Sequence, residues 1–286
     1  MSGMYGGYAG PKEVQYLFID GEQLRRTVEE VGNDWFKKPI DIDYRKLQGT
    51  CQKVFFYDCL PARTQADTDE AYKQKRDAKE ALFNELRAIA GWHVSQGLAK
   101  HRKRVGQEQK EVDILIAVDM LTHTYRRNMH RLTFLSGDQD FAPLLEAVVR
   151  EGMYVELLYP ERHTSTDLMH FADDATPLDV DRLYAAATED FQRSHGMPTR
   201  SFDLAGAPQD GVWVEQGHGQ AGPFAKVWHE QTSGLFNIKT VHPNASGQYF
   251  TVRNRDLALG KRYFEMHARQ IFGPQAASLD WRQLAA

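Results

Sequence analysis

The sequence predicts an α/β fold, a parallel sheet with helices on both faces, followed by a small C-terminal α+β domain. Three observations carry that expectation. Apolar runs of strand length alternate with stretches of helical period from Val14 to Leu158, the pattern of successive βαβ units. Aspartates stand directly after three of the apolar runs, at Asp20, Asp58 and Asp138, where open α/β sheets place their chemistry. Composition shifts after about Leu183, and the remainder holds short β-like runs and one helical pattern.

Val14 to Ile19 reads as a buried strand, and Leu24 to Val31 as the helix after it. Lys53 to Tyr57 is a second strand, ending in Asp58. Asp67 to Gly91 is a long helix, because Ala78, Leu82, Leu86 and Ile89 recur at helical spacing and Gly91 suits a C-cap. Trp92 to Val94 is a short strand, and Gly97 to Lys110 is polar and basic. Glu111 to Tyr125 is a helix with an apolar stripe through Val112, Leu115, Ile116 and Met120. A strand at Arg131–Leu135, a helix at Phe141–Arg150 and a strand at Tyr154–Leu158 complete the alternation. The expected organisation is a flexible tail over 1–13, an α/β domain over 14–183, a linker over 184–211 and an α+β domain over 212–286. In the last, Gly211–Val214, Phe236–Val241 and Gln248–Arg253 read as strands, and Asp256 to about Phe272 as a helix.

Composition narrows the functional classes. The 286 residues are 42% apolar and 26% charged, with a net charge of −4. No global basic field marks a nucleic-acid binder, so a polyanion surface has to be local. Cys51 and Cys59 form neither a metal-ligand pattern nor a disulfide framework, which fits a reducing cytoplasm. No apolar run reaches the length of a membrane span.

The acids carry the functional expectation. In a parallel sheet adjacent strands end on one edge, so Asp20, Asp58 and Asp138 converge there, and Asp113, in the first turn of its helix, starts near the same edge. At an effective dielectric of about 20 and roughly 5 Å, each carboxylate pair costs on the order of 3 kcal/mol. Such a group calls for cations, and hard oxygen donors without His or Cys favour Mg2+ or Mn2+. Metal-assisted phosphodiester hydrolysis is the chemistry expected. The plainer reading of each acid is a turn residue or helix N-cap, and Asp140, directly before the Phe141 helix, is expected to be one, with a supporting role at the site as its other reading. Asp119, six residues beyond Asp113, is either a supporting residue or solvated, and Glu22 either reaches a metal-bound water or lies at the surface.

Ile19-Asp20-Gly21-Glu22 with Leu24, Lys110-Glu111-Val112-Asp113 leading to Val118-Asp119-Met120-Leu121, and Ser136-Gly137-Asp138-Gln139-Asp140-Phe141 together resemble the NYN (LabA-like) branch of the PIN-like nucleases. Asp167 to Asp173, before Pro177-Leu178-Asp179, is similar to that family's closing helix. The resemblance spans about residues 14–183. It implies a Rossmann-like PIN fold and a metal-dependent ribonuclease. By motif position it implies metal-binding acids at Asp20, Asp113 and Asp138, with Asp58 a further acidic position and Ser136 a supporting residue. Where the family usually has Asn, this chain has Gln23, which keeps the amide on a side chain one methylene longer.

Lys100, Arg102, Lys103, Arg104 and Lys110 form a basic run just before Asp113 and are the expected phosphate contacts, against the plainer reading of a solvated loop. RNA is the expected substrate, and the same groove would accept single-stranded DNA. The aromatic and basic residues from Trp213 to Arg255 read first as domain core and second as base-stacking groups. Gly217 to Gly222 fits G-x-G-x-x-G but lacks the βαβ context of a dinucleotide site. Two rival functions remain. A non-catalytic RNA- or protein-binding module would be expected to lose the acids. A haloacid-dehalogenase-type phosphatase needs an Asp where this chain has Glu22. The C-terminal domain is the candidate element for a homodimer.

Overall fold

The computed structural model describes residues 13–64, 66–97, 107–203, 210–242, 247–276 and 278–284, the side chains of 107–110 and 275 excepted. The expected tail, all but its last residue, and the basic run from Lys100 to Arg104 lie outside the described residues, as does the side chain of Lys110. The chain divides into two compact units, before and after Phe191.

The first unit begins β1 (Gln15–Asp20), α1 (Gly21–Phe36), α2 (Tyr44–Gln48), β2 (Lys53–Cys59), α3 (Asp69–Arg87), β3 (Trp92–Gly97) and α4 (Gln107–Tyr125). It continues with β4 (Arg131–Leu135), a 3-10 turn at Gln139–Phe141, α5 (Ala142–Arg150), β5 (Tyr154–Tyr159), α6 (Thr166–Met169), β6 (Asp174–Pro177) and α7 (Val180–Ala185). A short α8 (Glu189–Ser194) spans the division between the units. The six strands run parallel in the order β3-β2-β1-β4-β5-β6. The order reverses between β1 and β4, which opens a crevice at their C-terminal ends.

Pleating explains why these strands are apolar throughout. Tyr16, Phe18, Phe55, Tyr57 and Phe134 point to one face and join Val112, Ile116 and Met120 of α4 with Leu144, Leu145 and Val148 of α5. Leu17, Ile19, Val54, Phe56 and Leu135 point to the other and join Leu24 of α1, Phe83 and Leu86 of α3 and Leu183 of α7. A sheet covered on both faces carries no polar alternation.

Three expectations change here. Helix α4 starts at Gln107, so Asp113 lies in its second turn rather than its first. The segment resembling a closing helix forms only the four residues of α6 before a turn into β6, which adds an edge strand. The stretch expected as a linker contains α8 and a strand, β7 (Thr199–Asp203), whose edge position asks for little apolar sequence.

The second unit is an antiparallel sheet with one long helix. Its further strands are β8 (Val212–Gly219), β9 (Gly222–His229), β10 (Phe236–Val241), β11 (Tyr249–Asn254) and β12 (Asp280–Gln283), ordered β12-β8-β9-β10-β11-β7, and its helix is α9 (Leu257–Phe272). The Gly217–Gly222 run is part of the β8–β9 hairpin. Gly222 takes φ +115°, and a Cβ on Gly217 would lie 2.9 Å from the Trp281 ring. Those glycines serve a turn and a close approach.

Candidate metal centre

Asp20 is the last residue of β1 and the N-cap of α1. Its Oδ1 accepts from the Gln23 backbone N–H at 3.1 Å, and its Oδ2 accepts from Ser136 Oγ at 3.4 Å. Asp20 is only 6% exposed. Burial pushes its pKa up to about 6, with the charges of Asp113, Asp58 and Glu22 adding to the rise and the Gln23 N–H opposing it.

Across the crevice, β4 ends at Leu135 and the chain turns through Ser136, Gly137 and Asp138. Buried Ser136 joins the two strand ends: its Oγ donates to Asp20 and accepts from the Asp138 backbone N–H at 3.2 Å. Asp138 Oδ1 in turn accepts from the Asp140 N–H at 2.9 Å. The N-cap is therefore Asp138, and the expectation for Asp140 is corrected. The helix opens with the 3-10 turn Gln139–Phe141, which moves the cap two residues upstream, while α5 itself begins after Phe141 with no side-chain cap.

Asp113 reaches the same group from α4. Burial pushes its carboxyl up to about 6, with Asp138, Asp140 and Glu22 adding charge. Asp20, Glu22, Asp58 and Asp113 line a pocket of about 10 Å³ together with Tyr57, space on the scale of one water molecule. Asp58 differs from the others. One oxygen accepts from the Cys59 N–H at 2.8 Å and the other pairs with Lys79 of α3. Burial raises its pKa even against the lysine. Gly21 permits this packing, since a Cβ there would lie 2.8 Å from both Asp58 Oδ2 and the Tyr57 carbonyl oxygen.

A wider pocket of about 370 Å³ lies beside Asp138 and includes Gln23, Arg26, Glu30 and His163. Arg26 pairs with Glu22, and His163 Nε2 lies 2.8 Å from Glu30. Arg26, His163 and Lys79 were not singled out from the sequence, where each looks like one more surface charge. Asp119 is not brought to the group. Its Oδ2 accepts from the Tyr57 hydroxyl at 2.9 Å, and its charge acts on His93 and His123 instead. Six residues along a helix is about 9 Å, which carries it away from the strand ends. Among the described residues no three His, Cys, Asp or Glu side chains are gathered as a preformed metal-binding group. The donor set, carboxylates with amide and hydroxyl oxygens, suits a hard divalent cation.

The NYN domain family matches residues 16–179 of this chain. No curated protein matches it. Among solved structures, a protein of unknown function from Vibrio parahaemolyticus is 20% identical with a TM-score of 0.43, over 59% of this chain and 95% of its own. The C-terminal domain of a protein assigned as a chitinase from Desulfitobacterium hafniense is 10% identical with a TM-score of 0.21, over 92% of both chains.

Proposed function

This chain belongs to the NYN domain family, and on that premise we propose that it is a metal-dependent endoribonuclease. The family generally comprises nucleases. The observation that carries the finer reading is electrostatic. Asp20 and Asp113 both sit near pKa 6, because burial and neighbouring carboxylates crowd more negative charge into the crevice than it can hold alone. A divalent cation relieves that excess.

In this reading Asp20, Asp113 and Asp138 hold Mg2+ or Mn2+. Held there, such an ion would supply Lewis acidity for a phosphodiester and for the attacking water. Ser136 keeps the ends of β1 and β4 in register by bonding both of them. Glu22 and Asp140 add charge that favours the cation. Asp58, already paired with the Lys79 cation, fixes the pocket wall rather than the ion. Arg26 and His163 receive the phosphate backbone in the wider pocket, where Gln23 supplies an amide. Single-stranded RNA suits an open crevice of this kind.

The test is cleavage of single-stranded RNA with Mn2+ present. Asp138→Asn should slow it by on the order of 100-fold and leave RNA binding in place. Cutting at the parent rate would refute the reading. A second reading, a module that holds RNA without cutting it, is favoured by the lack of three gathered ligands among the described residues. Calorimetry showing RNA binding but no Mn2+ binding would select it.

A further inference from the structure

The second unit has a charge of its own. Residues 192–286 carry ten Lys and Arg against seven Asp and Glu, net +3, although the whole chain is at −4. A sign difference between halves of a chain points to a polyanionic partner for the basic half.

The sheet presents one face to α9. The Cδ1 of Ile238 lies 3.4 Å from where a Gly260 Cβ would stand, Phe250 packs on Phe264, and Glu215 pairs with Lys261 of the helix. Residues of opposite pleat face away from α9. Among them Lys226 of β9 and Lys239 of β10 are direct cross-strand partners. Lys239 is buried and feels the charges of Asp203 and Glu230, so Lys226 is the cation of the two that a ligand would meet. Lys226 is exposed and makes no ion pair among the described residues. Its ammonium lies 5.6 Å from the ring centre of Trp213, which is itself 37% exposed and braced edge-on by Trp228. Trp213, Gln216, Lys226, Lys239 and Tyr249 line one pocket of about 300 Å³.

We propose that this pocket is a single-stranded nucleic-acid site separate from the acidic crevice, with bases stacking on Trp213 and Tyr249 and a phosphate meeting Lys226. A flat exposed ring beside an exposed lysine matches the alternation of base and phosphate along a single strand. An acidic peptide would match the lysine and leave the rings without a planar partner. The choice of RNA as the polymer rests on the nuclease reading; the site itself does not.

The test is binding of a short fluorescent oligouridylate to the full chain in EDTA, followed by anisotropy, so that cleavage plays no part. Trp213→Leu keeps an apolar side chain against Trp228 but removes the stacking plane, and should weaken binding about 10-fold. Trp213→Phe should stay near the parent. Lys226→Glu, at an exposed position, should weaken binding by about as much and lower the slope of affinity against salt by about one to two charges. Equal binding of an oligodeoxythymidylate supports the site, because stacking tolerates either sugar. Parent-like binding by Trp213→Leu and Lys226→Glu overturns the proposal. So does loss with Lys226→Glu alone, or equal competition by polyglutamate, since either would reveal charge attraction without stacking. Mn2+-dependent cleavage of the RNA is measured separately, and its failure would leave the binding result standing.

Discussion

Asp20→Asn should make the metal-free protein more stable at neutral pH. The carboxyl titrates near 6 in the folded chain, against about 3.9 in an unfolded one. Each unit of that difference is worth about 1.4 kcal/mol, so the ionised group opposes folding by about 3 kcal/mol at pH 7. The sign follows from protons. Folding raises this acid's pKa, so the penalty is absent below about pH 4, grows as pH rises towards 6, and is constant above it. Asparagine removes the charge and remains a good N-cap, so the Gln23 N–H bond to position 20 survives. Reorienting the Ser136 contact costs about 1 kcal/mol, which leaves a net gain of about 2 kcal/mol. Urea unfolding in EDTA, followed at several pH values, measures it. Below about pH 4 the variant should be the less stable by about 1 kcal/mol, the two should cross between about pH 4 and 5, and the variant should lead through pH 6 and above. A variant less stable than its parent at neutral pH, or a gap that ignores pH, would refute the argument that Asp20 is held ionised against its surroundings.

Three further outcomes are expected. Millimolar Mn2+ should raise the melting temperature of the parent and not of Asp20→Asn, by mass action on the folded state; equal shifts in differential scanning fluorimetry would count against the cation site. Gly21→Ala should destabilise by about 1–3 kcal/mol in chemical denaturation, because the new methyl would press on Asp58 Oδ2 and the Tyr57 carbonyl oxygen, and a neutral result would show that β1 and β2 yield there. Lys79→Met should cost about 3–5 kcal/mol by stranding the buried Asp58 carboxylate, with most of the loss recovered in the Asp58→Asn, Lys79→Met double variant; a double variant no better than the single would remove the pair from the account.

The regular elements were legible where local chemistry fixes them. Arg131–Leu135 and Phe236–Val241 are strands to the residue, bounded by polar or turn-forming neighbours. What escaped is what tertiary context makes. The four residues Asp174–Pro177 pair along β5 without any strand-like pattern of their own. Strand β9 was hidden because Gly222 and Pro223 at its start read as loop, although the residues after them pair on both sides. At the acidic site the sequence marks the acids by their places after strands, but not what each oxygen does. Lys79 is 21 residues from Asp58 along the chain, and only the packing of α3 against the sheet brings it there. Asp119 shows the converse: near Asp113 in sequence, it faces Tyr57.

The capping role and the proposed metal role of these acids are one arrangement rather than competing readings. Asp20 and Asp138 each spend Oδ1 on a backbone N–H at the start of a helical turn. That bond fixes the carboxylate's orientation at the strand end, and the amides near a helix start partly offset its charge. Ser136 then couples the two turns across the crevice. Asp58 differs in what it already holds, since its second oxygen pairs with the Lys79 ammonium. A cation seeking oxygen donors therefore meets a graded choice: Asp20 and Asp138, oriented by backbone N–H groups; Asp113, on α4, raised by burial and by the charges of Asp138, Asp140 and Glu22; and Asp58, already paired with the Lys79 cation. In the proposed reading Asp20 and Asp113, which burial and neighbouring acids push up to about 6, are acids a cation would engage, so its affinity would draw on the same penalty that Asp20→Asn would release.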